Sequence, residues 1–136
     1  MPIDPSTIAE EDALWRELSD TFDAFGPEEV LRPGYFREGW SAKDALAHIG
    51  TWLAEAGVAL EQIRHGTYVE LHAEQIDEMN ARFLDAMRDA SLADVRSQAA
   101  AARSRMLHAW GEFPSPHEGA TSWIRKAGPD HYREHL

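Results

Sequence analysis

The sequence has 136 residues, 43% of them apolar, with 24 acidic against 13 basic side chains for a formal net charge of −11, and no cysteine. This length suits one domain spanning 1–136 around one core, and the missing thiols exclude disulfides, thiolate zinc sites and a cysteine nucleophile. Scattered Lys and Arg under an excess of carboxylates make nucleic acid and anionic membrane poor partners; with no apolar run near the roughly 18–20 residues that span a bilayer and no signal-peptide pattern at Met1-Pro2-Ile3-Asp4-Pro5, the expected location is cytoplasmic.

Helical patterning runs through most of the chain. The first helix is expected to start near Asp4-Pro5, since proline is tolerated at the first helical position; Thr7 with Glu10 offers an alternative capping box. Trp15, Leu18, Phe22 and Phe25 then recur at spacings of three and four, until Gly26-Pro27 stops the pattern. Residues 26–40 read as an irregular segment with a Pro33-Gly34 turn, and Tyr35, Phe36 and Trp40 suit it to packing over a bundle.

Ser41 opens the second helix, with Asp44 completing a Ser-x-x-Asp capping box. Ala42, Leu46, Ile49, Leu53, Ala56, Leu60 and Ile63 form the cleanest stripe in the chain, which favours near-antiparallel packing, and His65-Gly66 closes the helix. Residues 66–74 are ambiguous, and Thr67 to Leu71 suits a short extended piece. A third helix is expected over 75–90 with Ile76, Met79, Phe83 and Met87 inward. Ser91 with Asp94 caps a fourth, running to Trp110 through Leu92, Val95, Ala99, Ala102 and Met106. Gly111, Pro114, Pro116 and Gly119 mark a long loop, and Gly128-Pro129-Asp130 opens a last helix over 130–136. The expected fold is all-α, a four-helix bundle with a short C-terminal helix.

The chemistry-bearing residues are histidines. At about 100° per residue, His48 lies on the flank of the second helix's stripe, beside Ala45, Trp52 and Ala59, where a ligand can reach a cleft. A histidine hydrogen-bonded to a neighbour in the first turns of a helix gives the same pattern. His131 and His135 stand four apart, so their Cβ atoms lie about 5–6 Å apart on one helix face and both imidazoles can converge on one ion. Chance spacing among seven histidines, or dipole stabilisation at a helix C-terminus, explains the pair as well. His65 reads as a helix C-terminal residue, and His72, His108 and His117 as surface. His131 to His135 also matches the His-x-x-Glu-His of inverzincins, with Glu134 as general base. That pattern needs an acidic third ligand well downstream and a larger domain, neither of which is expected here.

Trp40-Ser41-Ala42-Lys43-Asp44-Ala45-Leu46-Ala47-His48-Ile49, taken with the late His-x-x-x-His pair, resembles the DinB-like family of metal-binding four-helix bundles. Ile76 to Phe83 is similar to the third-helix opening of its maleylpyruvate-isomerase-like, mycothiol-dependent subset. The resemblance covers nearly the whole chain. It implies a three-histidine site for a divalent metal ion, zinc or nickel foremost, with His48, His131 and His135 as ligands. It also implies an external low-molecular-weight thiol such as mycothiol or bacillithiol. Maleylpyruvate isomerases carry a glutamate where this chain has His131.

The function expected on these grounds is a metal-dependent enzyme that activates a thiol or water against a small electrophilic substrate, as a thiol transferase, an isomerase or a hydrolase. The alternative is a non-catalytic bundle that binds a small molecule or acts as a stress-response homodimer. Asp44, Glu55 and Glu134 are candidates to orient the imidazoles. Trp40, Trp52 and Trp123 are expected in the core, with a pocket lining as the alternative.

Overall fold

The computed structural model describes residues 4–36 and 39–136; positions 37–38 of the expected aromatic segment lie outside it. Helix α1 spans Pro5–Asp23. The Asp4 carboxylate caps it, accepting from the Ser6 amide at 3.1 Å and from the Ser6 and Thr7 hydroxyls. Thr7 is buried inside the helix and leaves the capping to Asp4. Leu18 and Phe22 point into the core, with Trp15 and Phe25 packed at its edge. A single 3-10 turn at Glu29–Leu31 buries Val30, and Tyr35 then sets its ring edge-on to Phe22 and Phe25.

Helix α2, Ala42–His65, begins with both halves of the expected capping box, Ser41 with Asp44, and ends at Gly66, whose φ of 74° is the left-handed cap that favours glycine. Its stripe is buried from Ala42 to Leu60, with Ile63 partly covered. Residues 67–71 form no strand among the described residues. Helix α3 comes next at Ala73–Met87, shorter at its C-terminal end than expected. Met79 is its one buried residue, whereas Ile76, expected inward, is 36% exposed. Trp52 and Phe83, 5.6 Å apart ring to ring, stand between α2 and α3 and keep α3 off the core.

Helix α4, Leu92–Gly111, is capped by Ser91. It lies against α2 in parallel, because Gly50 meets Ala99 and, seven residues on in both helices, Gly57 meets Met106. The expected near-antiparallel packing of the α2 stripe is therefore corrected for its main partner. The chain returns through α3, which does run antiparallel to α2: Lys43 donates to the Arg88 carbonyl and Trp52 donates to Asn80. α1 runs antiparallel to α4, with Glu11 on Arg103 and Asp23 on Arg96.

A further correction concerns the expected long loop after Gly111. Residues Glu118–Ala127 form a helix, α5, which packs on α2. Pro114 and Pro116 precede its cap and Gly119 sits in its first turn, so these breakers mark a helix start. His117 supplies the cap, Nδ1 accepting from the Ala120 amide at 3.2 Å. Helix α6, Pro129–Glu134, begins one residue earlier than expected, with Pro129 at its first position, and ends two residues earlier, leaving His135 as its C-cap. The architecture is the all-α bundle expected, with α5 and α6 laid across it. Among the described residues no helix is long and apolar enough to cross a membrane.

Candidate metal centre

Three of the seven histidines come together. His48, half-buried on the flank of α2, faces His131 on α6 and His135 at the C-cap of α6, both buried. Their ring centroids lie 4.8 Å (His48 to His131), 5.4 Å (His48 to His135) and 5.0 Å (His131 to His135) apart. One nitrogen from each ring falls within 4.8 Å of the others. Nitrogens sharing one tetrahedral ion sit about 3.3 Å apart. Small ring rotations close the difference, so the donor set fits a divalent cation.

The electrostatics suit the same reading. Burial pushes His131 down to about 3, helped by repulsion from His48 and His135. A bond to the Ala127 carbonyl opposes this in part and occupies one ring N–H, which leaves the other nitrogen as a lone-pair donor. For His131 the backbone takes the orienting role expected of a carboxylate; Asp44 is engaged in the α2 cap, and Glu134 is exposed on a cavity wall. His135 ends α6. Its carbonyl accepts from the Tyr35 hydroxyl, which burial keeps protonated, and its ring lies 4.4 Å from Phe36. Trp40 sets its ring 4.8 Å from His48.

His48 and His131 open onto a cavity of about 720 Å³ between α2, α3, α5 and the 66–71 segment. Trp52 and Trp123 form its wall, 6.5 Å apart and 27° from parallel. Their indole N–H groups donate to Asn80 and to the Tyr68 hydroxyl, which pins both rings in the wall. The core placement expected for these two indoles is therefore corrected: both are only partly buried, because the cavity meets them. Lys126, Ser122 and His117 lie on the same walls; His117 is exposed, as expected, and also caps α5. His65 and His108 stay exposed, each beside a glutamate one turn away.

Sequence reasoning missed Glu11, Arg103 and Tyr132, which meet directly behind the histidines. Arg103 grips Glu11 with two bonds of 2.7 and 2.6 Å, and the Tyr132 hydroxyl donates to the same carboxylate at 2.9 Å. A signal was present: Glu11 stands four before Trp15, on the line of the apolar stripe, where an acidic side chain needs a buried partner.

Fold and site together define a class, an all-helical bundle with a histidine cluster at the edge of an inter-helical cavity. The model of one family, the mycothiol maleylpyruvate isomerase N-terminal domain, matches residues 12–134, and the chain belongs to that family. Comparisons with curated proteins and with solved structures gave no match.

Proposed function

We propose that His48, His131 and His135 hold a divalent metal ion, and that the chain is an enzyme acting on a small electrophilic molecule bound in the adjoining cavity. The observation that carries this reading is the convergence of three imidazoles at the wall of an open cavity of about 720 Å³. Three protein ligands leave a coordination position for a reactant, the pattern of catalytic rather than structural sites. A divalent ion held by the three imidazoles would supply Lewis acidity there, lowering the pKa of a thiol or water or polarising a carbonyl.

The side chains divide the remaining tasks. The faces of Trp52 and Trp123 bind and orient the apolar part of a substrate, and Ile63 and Ile76 help keep water from it. Lys126 offers a cation to a substrate anion, and the Asn80 amide, anchored by Trp52, fixes one edge. The chain has no cysteine, so a thiol nucleophile comes from a second small molecule. With a histidine at 131 where maleylpyruvate isomerases have glutamate, the ligand set carries one negative charge fewer. The ion's charge then acts on the reactant with less compensation.

Elemental analysis of protein purified without a histidine tag tests the reading. Near one equivalent of zinc or nickel is expected, falling away in His48→Ala alone. Metal far below one equivalent, not restored by adding Zn²⁺ or Ni²⁺, would sink it. Turnover of an electrophile that requires added thiol marks a transferase or isomerase, and equal turnover in water alone marks a hydrolase. The aromatic cavity favours one other reading, a non-catalytic binder, for which ligand uptake survives removal of the metal.

A further inference from the structure

Helix α6 carries His131 and is capped by His135, yet it has six residues, too few to hold a helical turn and its direction unaided. Its anchor lies on α1. Tyr132, fully buried, comes directly after His131, and its hydroxyl donates to Glu11 on α1 at 2.9 Å. Glu11 is 1% exposed and is gripped in turn by Arg103 on α4 through Nε and Nη2. Gly128, at the head of α6, lies beside the Glu11 side chain, and an added Cβ would sit 2.8 Å from the Ile124 carbonyl, so only glycine allows this sharp passage from α5 into α6. Burial beside Glu11 keeps the phenol protonated, so it serves only as a donor.

We infer that Glu11, Arg103 and Tyr132 are positioning residues for the metal ligands, a buried three-membered clamp that sets the rotation of α6 and hence the aim of His131 and His135 at His48. The inference rests on the metal-binding reading above. Around the helix, Tyr132 lies about 100° from His131, and His135 caps the same turn. A hydroxyl anchored on the neighbouring face therefore fixes the rotation that aims His131 and carries His135 with it. A side-chain tip stands about 5–6 Å from the helix axis, so a rotation of about 10° displaces a ligand nitrogen by about 1 Å, beyond what a precise site tolerates. An apolar residue at 132 would fill the space and leave that rotation free. The directional bond to a carboxylate, itself held at two points, does not.

Cobalt titration of the full-length, tag-free apo-protein tests this, read by visible absorption and dissociation constant. Tyr132→Phe and Glu11→Gln are expected to bind Co²⁺ about 10–100-fold more weakly than the unaltered protein, with a changed absorption envelope. Arg103→Lys keeps an ion pair with Glu11 but loses the two-point grip, and should fall between. Leu60→Ala, a buried truncation about three turns along α2 from His48, is the stability control. It should lower the melting temperature and leave Co²⁺ affinity and spectrum unchanged. Unaltered Co²⁺ binding in Tyr132→Phe and Arg103→Lys, or weakening no greater than in Leu60→Ala, overturns the clamp. Failure of the unaltered protein to take up Co²⁺ at all overturns the metal-binding reading itself.

Discussion

The two flanks of α2 are built in opposite ways. On the α4 side the helices are drawn together by small residues: a Cβ placed on Gly50 would lie 3.1 Å from the Ala99 Cα. On the α3 and α5 side they are held apart by indoles, and the space left between Trp52, Trp123 and their neighbours is the cavity. The bundle thus makes its cavity by unequal packing around one helix. The close flank supplies rigidity and the wide flank supplies volume. His48 stands on the wide flank, at the cavity wall beside Trp40 and the α6 histidine His131.

Acid should break the wide flank first, and by the largest amount. His131 is neutral in the metal-free fold, its pKa lowered from 6.5 to about 3 by burial and by two neighbouring imidazoles. The unfolded chain therefore takes up this proton at higher pH than the folded one. The stabilisation is complete above about pH 6.5 and is lost as pH falls toward 3, by at most about 1.4 kcal/mol per pH unit. Urea melts of apo-protein between pH 7 and 4 should show a shallower slope in His131→Asn than in the unaltered chain, and coincident slopes would refute the assignment.

Gly50→Leu attacks the close flank. Backbone atoms of Ala99 bar the new side chain, so α2 and α4 must separate, at about 1–3 kcal/mol in chemical or thermal denaturation. Trp123→Phe probes the wide flank with a smaller cost, about 1 kcal/mol for the lost bond to Tyr68, while cavity ligands should bind differently by calorimetry. Gly57→Ala should be the mildest change. Its Cβ meets Met106 at 3.7 Å, an ordinary contact, and removing a mid-helix glycine should raise stability by about 0.5–1 kcal/mol. A loss there comparable to that of Gly50→Leu would mean that the close approach is not confined to the Gly50 turn.

Much of this frame was legible in the residues. Asp4, Ser41 with Asp44, and Ser91 mark three helix starts because capping is local chemistry, carried by neighbours in the chain. The stripe from Ala42 to Leu60 shows which face of α2 is buried, but a stripe has no sense of direction, so the parallel course of α4 was not readable from it. The glycines at 50 and 57, two turns apart, were the available hint of a close neighbour. Helix α5 was hidden by Pro114, Pro116 and Gly119, which read as a loop until His117 is seen to cap the Glu118–Ala127 helix. The histidine cluster was legible because two members share a helix and the third sits in a recognisable motif. Its support was not: Arg103 and Tyr132 meet Glu11 across 92 and 121 positions, a separation that no local pattern records.

That separation also orders events in time. Tyr132 reaches back to Glu11 and the His135 carbonyl to Tyr35, 100 positions earlier. The three imidazoles can meet only once α1, α2 and α6 have docked, so the cluster is a late product of long-range packing. Opening of the α1–α6 contact should therefore scatter all three rings at once.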